Sequence, residues 1–121
     1  MRHRPVLRYK PRRVAFGSSS VRVALVLGSG LGDYADRLEG GRAIAYDEIG
    51  FPASSVVGHK GRLVYGRPPG SRVEVLVMQG RVHAYEGHAL QTVVLPVRAL
   101  VKSGCDVVVL TNAAGAIAPG L

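Results

Sequence analysis

VRVALVLGSGLG, residues Val21 to Gly32, couples a short β-branched and apolar run to a glycine-rich turn. Residues Val21 to Leu27 read as a buried strand, central in a sheet, because no polar face alternates with the apolar one. Gly28-Ser29-Gly30-Leu31-Gly32 then leaves its carboxyl end. Ligands of open α/β sheets bind at that end of the strands. Such a turn can offer backbone N–H groups and the Ser29 hydroxyl to an anion. A tight strand-to-helix turn accounts for the same residues equally well. The spacing lacks a full dinucleotide fingerprint, and no P-loop Lys-Ser/Thr pair follows.

Working outward, Asp33 to Leu38 fits a short helix and Arg42 to Ile49 a strand. Gly50 to Gly61 fits an exposed loop. Arg62 to Gly66 and Val73 to Gln79 are strand-like, and the Arg67-Pro68-Pro69-Gly70-Ser71 turn between them predicts a hairpin. From Leu90 to Ser103 the apolar residues Leu90, Val93, Val94, Val97, Leu100 and Val101 have the spacing of a helix packed on a sheet. Pro96 should kink that helix or lie near its first turn. Val107 to Leu110 predicts a second continuous buried strand, ending in Thr111-Asn112-Ala113-Ala114-Gly115. The expected class is α/β, a mixed sheet flanked by helices.

Of the 16 Lys and Arg, six (Arg2, Arg4, Arg8, Lys10, Arg12 and Arg13) fall in residues 1–20 with no acid among them. The net charge of +8 therefore belongs mostly to residues 1–20, a basic leader expected to be disordered, with the domain proper expected at 21–121. A charge confined to the leader argues against nucleic acid as a partner of the domain. No apolar run approaches the ~18–20 residues that span a bilayer. Cys105 is the single cysteine, so no intrachain disulfide forms, and its place beside a strand suits a small buried hydrophobe. One Cys and four scattered His make no metal-ligand pattern. No Gly-x-Ser-x-Gly elbow appears.

Arg81-Val82-His83-Ala84-Tyr85-Glu86 is the most informative polar stretch. In extended backbone Arg81, His83 and Tyr85 share one face. A guanidinium suits forked recognition of phosphate, and an imidazole can donate to the same anion. Tyr85 offers a ring and a hydroxyl. Glu86 is placed to orient His83 and favour its protonated form. A solvated polar edge is the competing explanation. By spacing alone His59, in Gly58-His59-Lys60-Gly61, reads as an exposed loop histidine, although the flanking glycines permit a moving lid. His88 has no evident partner. The small residues from Asn112 to Gly115 leave room, and backbone N–H groups, for a ligand.

Four segments in this order and at these intervals resemble the purine nucleoside phosphorylases of the trimeric type. They are Gly28-Ser29-Gly30-Leu31-Gly32, Gly58-His59-Lys60-Gly61-Arg62-Leu63, Gly80-Arg81-Val82-His83-Ala84-Tyr85-Glu86-Gly87 and Thr111-Asn112-Ala113-Ala114-Gly115. The resemblance covers residues 21–121. It implies a phosphorylase/hydrolase-like fold, truncated to its N-terminal part. It also implies phosphorolysis of purine (deoxy)ribonucleosides to free base and pentose 1-phosphate, a purine-salvage reaction in the cytoplasm. By position, Ser29, Arg81, His83 and the Ala113 N–H resemble the phosphate cradle, with His59 near phosphate and sugar and Tyr85 on the ribose. His83 and Glu86 are the candidate catalytic pair. Inorganic phosphate is a co-substrate, no cofactor is implied, and the full-length family assembles as a homotrimer. Asn112-Ala113-Ala114 favours the trimeric type over the methylthioadenosine phosphorylase relatives, which the resemblance implies carry a Thr-Ala-Cys character there. The base-binding half of such a site lies outside these 121 residues, so the chain alone is expected to be inactive. A non-catalytic phosphate- or anion-binding module and a methylthioadenosine phosphorylase relative are the alternatives.

Overall fold

The computed structural model describes residues 21–56 and 59–120. The basic leader and Gly58 lie outside them. Five strands form one mixed sheet in the order β2-β3-β4-β1-β5, with β1 Val23–Leu27, β2 Glu39–Ala45, β3 Arg62–Arg67, β4 Val75–Gln79 and β5 Val107–Leu110. β1 runs parallel to β4 and β5, whereas β2–β3 and β3–β4 are antiparallel. The expected hairpin is β3–β4, closed by the Ser71 N–H donating to the Pro68 carbonyl.

Side-chain alternation sends β1 and β4 residues to two cores. Ala24, Val26, Leu76 and Met78 join Leu63, Tyr46, Phe51, Cys105 and the helix residues Ala99 and Leu100 on one face. Leu27, Val75 and Val77 join Val64 and Ala35 on the other. β4, the middle strand, is buried throughout; β1 lies one place off centre. Three helices accompany the sheet: α1 Asp33–Asp36, α2 Tyr46–Ile49 and α3 Leu90–Lys102. No helix among the described residues is long and apolar enough to cross a membrane.

Several expectations change. The run 42–49 is not one strand: β2 starts earlier, at Glu39, and ends at Ala45, where the chain turns into α2. The cause is Tyr46, which is buried, donates its hydroxyl to the Gly80 carbonyl at 2.5 Å and its N–H to Gly61. The loop after it is not wholly exposed, since Phe51 is buried against the Tyr46 ring, 5.6 Å between centroids. Pro96 is buried in the interior of α3, not in its first turn. β5 is not a buried strand: among the described residues it pairs only with β1, and Val107, Val109 and Leu110 are exposed.

The consequence for function is positional. Because β1, β4 and β5 are parallel, their carboxyl ends, carrying Gly28, Gly80 and Thr111, share one rim. The antiparallel pairing of Arg62 with Gln79 brings the segment entering β3, with His59 and Lys60, to the same rim.

Candidate active site

Three strand ends converge on Gly28. A Cβ built there would lie 3.3 Å from the Thr111 carbonyl oxygen, 3.4 Å from Arg81 Nη2 and 3.6 Å from Asn112 Cα. Arg81 thus reaches from the end of β4 across β1, and its Nη1 donates to the Thr111 carbonyl. Thr111 fixes the crossing point. Its hydroxyl donates to the Val26 carbonyl and accepts from the Gly28 N–H, both at 2.8 Å. The Gly28 N–H is therefore occupied by the Thr111 hydroxyl. Ser29, Gly30 and Ala113 are exposed residues, and no hydrogen bond engages their N–H groups or the Ser29 hydroxyl among the described residues. Free donors and a guanidinium at the end of parallel strands make a cradle suited to an oxyanion.

His83, Tyr85 and Glu86 meet, but not by extended alternation. The backbone turns into a 3-10 segment, Ala84–Glu86, which stacks the Tyr85 ring on His83 at 4.7 Å between centroids. Tyr85 itself is 77% exposed. Glu86 Oε2 accepts from the His83 N–H at 2.5 Å and lies 2.8 Å from His83 Nδ1. Its Oε1 accepts from the Ser54 hydroxyl and from both the N–H and the hydroxyl of Ser55. Burial would raise the Glu86 pKa, but His83, Ser55 and Ser54 together hold this carboxyl well below the usual carboxylate range. Ionised Glu86 makes His83 Nδ1 a donor and leaves Nε2 as the other polar atom of the ring.

His59 is not the exposed loop residue its spacing predicts. The Arg81 N–H donates to His59 Nδ1 at 2.8 Å, and the ring lies edge-on to His83 at 5.3 Å. With Nδ1 accepting, neutral His59 carries its proton on Nε2. That atom is buried, with no partner among the described residues. Burial, then the neighbouring His83, push the His59 pKa below its ordinary value. His88 is half-buried and stays outside this cluster.

The shift has a pH consequence. Protonating His59 Nδ1 would set two donors against each other at the Arg81 N–H. A histidine whose folded pKa is depressed contributes full stability above its unfolded value of ~6.5, and loses it as pH falls from there towards the folded value. Thermal stability should decline on acidification through that window, ahead of the low-lying Glu86 carboxyl. A His59→Asn variant, which keeps an acceptor but cannot titrate, should show no such decline when Tm is followed against pH.

The sequence assigns no role to Gln79, Tyr46 or the Ser54–Ser55 pair, and it marks Thr111 only as the head of its segment. Gln79 carries a visible signal: it continues the period-two row of Val75 and Val77, an inward position where an amide is unexpected. A cavity of about 810 Å³ adjoins the rim, with Val26, Met78, Val93, Val97, Arg81 and His83 among its lining residues. Among the described residues no cluster of His, Cys, Asp and Glu could hold a metal.

Purine nucleoside phosphorylase 1 of Geobacillus stearothermophilus is 46% identical over 100 residues, covering 82% of this chain and 36% of that protein. A crystal structure of a purine nucleoside phosphorylase in complex with ribose-1-phosphate superposes with TM-score 0.73 at 40% identity, covering 84% of this chain and 37% of that one. A schistosoma purine nucleoside phosphorylase in complex with hypoxanthine gives TM-score 0.74 at 38% identity, covering 87% and 36%. The chain thus spans about a third of the length of the relatives it matches. The Phosphorylase superfamily model matches residues 22–121, the whole described sheet with its rim, and on that ground the chain belongs to the phosphorylase superfamily.

Proposed function

We propose that this chain supplies the phosphate-binding half of a purine nucleoside phosphorylase active site. The supporting observation is the convergence of the Gly28 turn, the Arg81 guanidinium and the Thr111–Asn112 backbone within 3.3–3.6 Å of one point. In this reading Ser29, Arg81, His83, His59 and the Ala113 N–H hold inorganic phosphate, and Tyr85 contacts the pentose. The apolar cavity beside them takes the sugar. Relatives solved with ribose-1-phosphate and with hypoxanthine carry the two products such a reaction gives from inosine.

The chemistry follows from charge. A phosphate oxygen forms a bond to the anomeric carbon as the bond to the purine nitrogen breaks, and the base departs with that electron pair and takes up a proton. The sugar is cationic at the midpoint, so an anion fixed beneath it lowers the barrier by position and electrostatics. Glu86 keeps His83 oriented while phosphate charge is consumed. The complete reaction belongs to the homotrimeric enzyme, in the cytoplasm, with no metal step.

Equilibrium dialysis of the 121-residue chain against labelled inorganic phosphate, followed by incubation with inosine, tests this reading. Saturable phosphate binding without hypoxanthine release is expected, because no side chain of this half is assigned to the purine. Absence of binding would refute the cradle. Phosphate-dependent hypoxanthine release would refute the division into halves. The alternative, an anion module with no nucleoside chemistry, predicts binding that inosine leaves unchanged even once the remaining sequence of a relative is joined.

A further inference from the structure

Gln79 is the only buried polar or charged residue in the core of the described chain, with no exposed surface. It closes β4, on the face where Val75 and Val77 pack. An apolar side chain there would serve the core at no desolvation cost, whereas a buried amide is tolerated only when its hydrogen bonds are made. All four are made. Nε2 donates to the Gly32 carbonyl at 2.6 Å and to Asp36 Oδ1 at 3.1 Å. Oε1 accepts from Arg62 Nε at 2.9 Å and Arg62 Nη2 at 2.8 Å. Asp36 is held in turn by Arg62 at 2.9 Å and by Lys60 at 2.7 Å.

These contacts join three rim segments. Gly32 ends the turn that carries Ser29, Gln79 lies two residues before Arg81, and Lys60 follows His59. We infer that Gln79 is a positioning residue for the phosphate cradle: its carboxamide fixes the Ser29 turn at a set distance from Arg81. The inference rests on the proposed phosphate site, which Gln79 does not touch. Glutamine is required over glutamate, since the Gly32 carbonyl needs a donor and an ionised carboxylate would face Asp36. Methionine preserves the length and apolar volume but none of the four bonds.

The test compares wild type with Gln79→Met, using labelled-phosphate dialysis, urea denaturation and hydrogen exchange resolved along the chain. Phosphate binding should weaken at least tenfold, and amide exchange should accelerate selectively over residues 28–36. β1, β4 and α3 should stay as protected as in wild type. A purely structural amide would instead lower the urea midpoint and loosen all segments together, with binding unchanged in the folded fraction. That result, or phosphate affinity equal to wild type, overturns the inference. Should the variant fail to fold, wild type still decides. The Gln79 side-chain NH2 protons should exchange far more slowly than those of Gln91, an exposed carboxamide; equal rates overturn the inference. If wild type binds no phosphate, the proposed function falls, while selective loosening of residues 28–36 still tests the clamp.

Discussion

Arg81→Ala is expected to weaken inorganic phosphate binding by ~30–100-fold while leaving the sheet folded. Arg81 lies beyond the last residue of β4, so its side chain takes no part in strand pairing. What goes is the guanidinium that stands beside Gly28, together with its hydrogen bond to the Thr111 carbonyl. Hydrogen bonds to charged groups contribute about 1.5–3 kcal/mol each. Loss of ~2–3 kcal/mol corresponds to ~30–100-fold in affinity. Arg81→Lys should recover only part of this, because an ammonium cannot reach Thr111 and grip an anion with the same fork. Dialysis against labelled phosphate measures both variants. An Arg81→Ala affinity within about twofold of wild type would remove Arg81 from the cradle.

Gly80→Ala is expected to cost ~2–5 kcal/mol of stability, from left-handed backbone strain and steric overlap together. Gly80 has φ +99°, and a Cβ there would stand 2.6 Å from His59 Cβ and 2.9 Å from His59 Cα. Either His59 leaves the Arg81 N–H or the turn after β4 opens. Gly30 provides the contrast. It has φ +82° but nothing within 4 Å of a built Cβ, so Gly30→Ala carries only the strain of ~1–2 kcal/mol. Urea midpoints of the two variants should therefore separate clearly. Equal midpoints would mean that His59 does not pack against Gly80 as described.

The sequence exposes much of this fold because its strongest signals are local. The apolar run of β1, the Pro-Pro-Gly turn of the β3–β4 hairpin and the helical spacing of α3 each fall within about a residue or two of the observed elements. What was illegible depends on distant partners. Tyr46 ends β2 because its hydroxyl meets the Gly80 carbonyl 34 residues away. β5 has the composition of a buried strand, yet its exposure is decided by which strands pair with it. His59 reads as solvent-exposed until the Arg81 N–H claims its ring. Tyr85 reaches His83 through a 3-10 turn that alternation does not anticipate. Gln79 stood in plain view at the end of an apolar run, but the Gly32 carbonyl and Arg62 that justify it come from other elements.

The central claim is that separate strand ends jointly hold one inorganic phosphate. A crystal structure of the 121-residue chain grown with phosphate is its most direct test. A phosphate bound between the Ser29 hydroxyl, the Arg81 guanidinium and the Ala113 N–H is predicted. At saturating phosphate, an ion held elsewhere, with Arg81 and Ser29 turned apart, would contradict it.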